Sequence, residues 1–168
     1  MTTERPNPSV SRPELLDQDG RDRTFRRMLY DLLKVGARMQ DVRDRLAGII
    51  GVTGPQYAIL MAIAHAQDED GGAGVRVIAR RLHVSGPFIT AQVNKLVAVG
   101  LVEKRENPKD GRGVILCLTG LAEQQMSDLA PEIQRANDAF FASLSRSDFD
   151  ALIKIAEGLV ESSADVLK

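Results

Sequence analysis

The stretch VSGPFITAQVNKLVAVGLVEKRENPKDGRGVILCLT (84–119) decides the fold. Ser85 is a good helix N-cap, because its hydroxyl can accept a hydrogen bond from a first-turn N–H. Pro87 is tolerated in that first turn. Val84 and Ile89 occupy the positions where a hydrophobic staple forms across a helix start. Ile89, Val93, Leu96 and Val97 then recur on one face, and Gly100 suits the left-handed position just past a helix end. Residues 101–106 and 114–118 are β-like runs. Between them NPKDGRG (107–113) is rich in turn formers and predicts a hairpin tip.

Upstream, residues 75–82 read as a short helix that breaks tightly at His83 and Val84. Helix, tight turn, helix and hairpin make a winged helix-turn-helix. Residues 22–46 carry Phe25, Leu29, Leu32, Gly36 and Met39 at helical spacing and predict a long first helix. Thr53 can cap a second helix, with Tyr57, Leu60, Met61 and Ala64 on its apolar side. DEDGGAG (68–74) reads as a loop of acids and flexible glycines. Leu121, Met126, Leu129, Ile133, Ala136, Phe140 and Leu144 mark a further long helix, with Pro131 expected to bend it. Phe149, Leu152, Ile153, Ala156, Leu159 and Val160 mark the last. The expected fold is mainly α with a small β-hairpin wing and dimerisation through the terminal helices. The expected organisation is a flexible N-terminal arm at 1–21, a DNA-binding lobe at 51–119, and a helical dimerisation region from 22–50 and 120–168.

Composition agrees with a globular chain: 168 residues, 43% apolar and 27% charged. No apolar run reaches the ~18 residues a membrane span needs. The N-terminal residues have no apolar signal core, and one cysteine cannot form an intrachain disulfide, so a reducing cytoplasm is expected. Net charge is only −1, yet it is unevenly spread. Residues 75–113 hold 8 basic and 3 acidic residues, whereas residues 114–168 hold 4 basic and 9 acidic ones. A local basic block is an electrostatic footprint for phosphate.

The second helix of a helix-turn-helix enters the DNA major groove. With Ile89, Val93 and Leu96 buried, Phe88, Thr90, Ala91, Asn94 and Lys95 are left outside. Asn94 can pair with adenine edges and Lys95 with guanine or phosphate. Phe88 either touches a thymine methyl or packs in the core beneath the staple. Ser85 and Pro87 open the helix, whose N-terminus favours a phosphate, and Arg76 adds a cation on the helix before it. No Arg lies in the first two turns, so bidentate guanine readout is missing and discrimination is expected to lean on Asn94, methyl contacts and DNA shape. At the hairpin tip, Lys109 and Arg112 are cations suited to a minor groove. Asp110 can hold the Arg112 guanidinium by a bidentate pair.

These features together resemble the MarR family of transcriptional regulators. VTGPQYAILMAIA (52–64) is similar to the family's second helix, and residues 77–125 to its core signature. The matching positions include Ala79, Leu82, Ser85, Thr90, Leu96, Gly100, Leu101, Arg105, Asp110, Arg112, Leu118 and Thr119. The chain departs from the usual pattern at Gly86, Pro87, Gly111 and Gly120. The resemblance implies a homodimer whose first and last two helices intertwine. Such a dimer would meet a pseudo-palindromic double-stranded operator with half-sites ~10 bp apart. It also implies a regulator, usually a repressor, released by a small aromatic or anionic effector.

Candidates for that effector site are Tyr30, Arg38, Tyr57, Met61 and His65, since an Arg among aromatics can hold a carboxylate. Cys117, within a strand, reads as inert packing rather than as a redox sensor. His65 and His83 are isolated, so no metal site is expected. No nucleophile, zinc-protease, Walker A or dinucleotide motif is present, so neither catalysis nor a cofactor is expected. The alternative function is a winged-helix protein-interaction or non-specific architectural DNA-binding module without an effector.

Overall fold

Helix starts are written into side-chain chemistry. Thr53 forms a capping box with Gln56: the Gln56 N–H donates to Thr53 Oγ1 at 3.4 Å, and the Thr53 N–H to Gln56 Oε1 at 3.0 Å. The Phe88 N–H donates to Ser85 Oγ at 3.3 Å. Ser145 and Asp148 make a second reciprocal cap, with the Ser145 N–H donating to Asp148 Oδ2 at 3.0 Å and the Asp148 N–H to Ser145 Oγ at 3.2 Å.

The computed structural model describes residues 7–107 and 113–166. Its helices are α1 (Arg23–Ile49), α2 (Gly54–Asp70), α3 (Val75–Arg81) and α4 (Gly86–Ala98), then α5 (Gly120–Phe140) and α6 (Arg146–Val166). Between α4 and α5 lies an antiparallel hairpin of β1 (Val102–Glu106) and β2 (Val114–Leu118), in register from Val102 opposite Leu118 to Glu106 opposite Val114. The order of helices and hairpin is the expected mainly α winged helix-turn-helix. No single helix among the described residues is long and apolar enough to cross a membrane.

The chain divides into two compact units after Met126. The first contains the core: Ile59, Leu60 and Ile63 of α2, Ile78 of α3, Ile89, Val93 and Leu96 of α4, and Val102 and Leu116 of the hairpin. Burying such side chains contributes roughly 1.5–3 kcal/mol each. In this unit α1 and α2 meet at 86°. Gln67 on α2 ties the unit together. Its Oε1 accepts from the Leu118 N–H at 2.9 Å, and its Nε2 donates to Glu123 Oε1 at 3.1 Å.

The segment read as the loop 68–74 is only partly a loop. α2 continues to Asp70, and Ala73 pairs with Leu116 through a hydrogen bond from the Leu116 N–H at 3.0 Å. Gly72, at φ +124, runs so close that a Cβ there would press on the Leu116 carbonyl and Cys117. This glycine serves close packing against β2. The N-terminal residues described, from Asn7, include a 3-10 turn at Pro13–Leu15. They are joined to α1 at Asp22, whose Oδ2 accepts from the Ser9 hydroxyl at 2.5 Å, the Ser9 N–H at 2.6 Å and Arg26 Nε at 2.8 Å.

The second unit holds most of α5, which runs through Pro131, and α6. The Phe140 and Phe141 rings meet tilted at 58°, with centroids 5.1 Å apart, and the Arg146 guanidinium lies 5.7 Å from the Phe149 ring centre.

Candidate nucleic-acid interface

The turn between α3 and α4 is built from backbone hydrogen bonds. The Val84 N–H donates to the Ala79 carbonyl at 3.0 Å and the His83 N–H to the Arg80 carbonyl at 3.3 Å. This is a Schellman closure with His83 in the left-handed position at φ +52. The same motif ends α4. The Leu101 N–H donates to the Leu96 carbonyl at 2.9 Å and the Gly100 N–H to the Val97 carbonyl at 3.0 Å, with Gly100 at φ +74. Leu96 and Leu101 are both buried, supplying the apolar contact that accompanies the motif. Both ends of α4 are therefore fixed locally, and its inward face is locked by Ile89, Val93 and Leu96.

The start of α4 differs from expectation in one detail. Ile89 is fully buried, but Val84 is 39% exposed. The Ser85 cap and the Schellman turn, rather than a fully buried staple, set the entry of the chain. Phe88 is 38% exposed, which excludes a place deep in the core and leaves its ring on the outer side.

The outward side chains Ser85, Pro87, Phe88, Thr90, Asn94 and Lys95 all lie on α4 or its cap, and all are exposed. Arg76 is exposed on α3. Besides the Ser85 cap, two of the polar groups have protein partners. Thr90 Oγ1 donates to the Gly86 carbonyl at 3.1 Å, which leaves its lone pairs and methyl group outward. Asn94 Oδ1 accepts from Lys104 Nζ of β1 at 2.9 Å. Lys104 was not anticipated as a site residue. Nothing local marks it, because the contact spans ten residues and depends on how the hairpin lies against α4. Also on β1, Arg105 pairs with Glu103, which holds the guanidinium firmly in its charged form. Lys109, Asp110 and Arg112, expected at the wing tip, lie outside the described residues.

Cys117 on β2 is buried, with Sγ 3.9 Å from the Gly71 carbonyl, and burial raises its thiol pKa above the ordinary value. A buried thiol held protonated is a poor nucleophile.

The candidate effector residues are more scattered. Tyr30 and Arg38 are exposed on α1, eight residues and about 12 Å apart along the axis. Lys34 sits 5.1 Å from the Tyr30 ring centre. Tyr57, Met61 and His65 follow one face of α2, from a buried Tyr57 to an exposed His65. Burial raises the Tyr57 pKa, with the nearby Arg43 opposing, so its cationic neighbour is Arg43 rather than Arg38. A cavity of about 500 Å³ in this unit is lined instead by Asn7, Pro8 and residues around Asp22.

Among curated proteins, none matches the chain in sequence. A family model does: residues 50–113 match that of the MarR family. Solved structures agree on the fold. A MarR/EmrR family transcriptional regulator from Acinetobacter sp. ADP1 superposes with a TM-score of 0.71 at 12% identity, covering 83% of this chain and 96% of its own. The S. aureus MepR–DNA complex gives 0.68 at 16% identity, over 79% and 94%. The PcaV transcriptional regulator from Streptomyces coelicolor, in complex with its natural ligand, gives 0.57 at 25% identity, over 77% and 91%. Residues 50–113 thus match the MarR family model, and the chain has the fold of the MarR-family transcriptional regulators.

Proposed function

We propose that the chain is a homodimeric, sequence-specific DNA-binding transcriptional regulator that represses its target and is released by a small aromatic or anionic ligand. The observation that carries this reading is α4: both ends closed by local motifs, inward face buried, and outward face exposed beside the hairpin. The shared fold with MepR, solved on DNA, supports a DNA partner. The shared fold with PcaV, solved with its ligand, supports an effector.

In this reading residues 51–119 form the DNA-binding lobe, and residues 22–50 and 120–168 form the dimerisation region. Met28, Leu29, Leu32, Leu33 and Met39 on α1 are exposed, as are Phe149, Leu152, Ile153, Leu159 and Val160 on α6. Apolar stripes of this kind on single helices favour burial against a second copy. Ser85, Phe88, Thr90, Asn94 and Lys95 face the major groove, and the wing cations Lys109 and Arg112 face the adjacent minor groove with Asp110 orienting Arg112. The protein acts in the cytoplasm. Tyr30, Arg38, Tyr57, Met61 and His65 are the residues to vary first in locating an effector.

The test is a gel shift of the full chain against the DNA upstream of its own gene, repeated with Arg112→Ala. Specific binding by a dimer that Arg112→Ala largely abolishes without unfolding supports the reading. A second reading, a non-specific architectural or protein-interaction module, is favoured by the absence of Arg from the first two turns of α4. Binding without sequence preference and with a steep salt slope, or no binding at low salt, would favour it.

A further inference from the structure

The Lys104–Asn94 contact changes what Asn94 can recognise. A lysine ammonium has donors only, so the atom facing Lys104 Nζ at 2.9 Å must be the amide oxygen of Asn94. An asparagine that reads adenine in the usual bidentate way needs both ends of its amide: Oδ1 accepts from N6 and Nδ2 donates to N7. Here the accepting end is engaged by a cation. An adenine amino group reaching the same oxygen would share it with the ammonium and lie donor against donor.

The other end of the amide is differently placed. Nδ2 makes no hydrogen bond to the described residues, and both Asn94 and Lys104 are exposed. The ammonium keeps two further N–H donors. Two adjacent donors thus stand on the outer side of the recognition helix, one on α4 and one on β1. The base edge that answers two donors in the major groove is guanine, with acceptors at N7 and O6. The first two turns of α4 contain no Arg, so no single side chain there makes this fork.

We propose that Asn94 and Lys104 act as one composite donor pair that selects guanine over adenine at one position of each half-site. The proposal rests on the DNA-binding reading and names a specificity determinant within it. Lys104 both supplies a donor and, by holding Oδ1, sets which end of the Asn94 amide faces the base.

The test is selection of binding sites from randomised duplex DNA by the full-length wild type, Lys104→Met, Lys104→Arg, Asn94→Ala and the Asn94→Ala/Lys104→Met double variant. Wild type is expected to prefer guanine at one position of each half-site by about tenfold, the order of a good two-point contact. Lys104→Met frees Oδ1, so the preference there should turn towards adenine, while Lys104→Arg should keep guanine. Asn94→Ala should flatten the preference, and adding Lys104→Met to it should change that position little further. An unchanged base preference in Lys104→Met, or an equal loss of affinity for every sequence, would overturn the proposal while leaving DNA recognition standing. A wild type that selects no sequence at all would overturn both.

Discussion

Thr119 Oγ1 donates a 2.6 Å hydrogen bond to the Gly100 carbonyl, closing the base of the hairpin onto the end of the recognition helix. The same oxygen accepts from the Ala122 N–H at 3.2 Å, so one hydroxyl both orders the end of α4 and caps α5. The Thr119 N–H adds a bond to the Leu101 carbonyl at 3.2 Å. A part-buried capping bond contributes about 1 kcal/mol, and the exposed Gly100 bond up to a similar amount. Thr119→Val should therefore lower stability by ~1–2 kcal/mol, with Thr119→Ser recovering most of it. Denaturant titrations of the three proteins check this, and equal midpoints would refute it.

His83 holds the left-handed conformation between α3 and α4 at φ +52. Histidine tolerates that region better than most residues, but a β-branched side chain does not. His83→Val should cost ~1–2 kcal/mol. His83→Gly should be neutral or slightly stabilising, because relieved strain offsets the extra freedom of the unfolded chain. Thermal melts that rank valine at or above histidine would contradict the Schellman account of this turn.

Gln67 satisfies the backbone N–H of Leu118 from a different element of the first unit. Gln67→Leu keeps the volume but leaves a part-buried strand N–H without its acceptor, at a cost of roughly 1–3 kcal/mol. The amide of Leu118 should then lose hydrogen-exchange protection while amides in α1 keep theirs. Uniform loss across the unit would instead mark a packing defect.

Asp22 joins the N-terminal residues to α1. Hydrogen bonds from the Ser9 hydroxyl and backbone, then from the Arg26 guanidinium, hold its carboxyl well below the usual carboxylate range. A group whose folded pKa is depressed stabilises above its unfolded value near ~4, and that contribution is lost as pH falls towards the folded value. Protection of residues 9–26 should thus be constant between about pH 5 and pH 8 and weaken only in stronger acid. Asp22→Asn should release the segment at neutral pH. Hydrogen exchange reads both effects, and a segment equally protected in Asp22→Asn would remove the clasp from the account.

Much of this fold was legible because its determinants are local. Thr53, Ser85 and Gly100 act within one helical turn of themselves, and Ile89, Val93 and Leu96 declare a buried face by spacing alone. What escaped the sequence depends on chain segments far apart. The glycines at 71 and 72 look like a flexible loop until β2 is seen running beside Ala73. Lys104 looks like a solvated strand residue until β1 is placed against Asn94. The proposed effector residues share no such local signature, because a pocket is assembled by packing rather than by spacing along a helix.

The most direct test of the central claim is footprinting of the full-length protein on its highest-affinity selected duplex, with affinity measured across a salt series. The account predicts two protected half-sites, inverted and ~10 bp apart centre to centre, with affinity at least ~10³-fold above random DNA at physiological salt. Protection without two-fold symmetry, or affinity indistinguishable from that for random duplex, would contradict it.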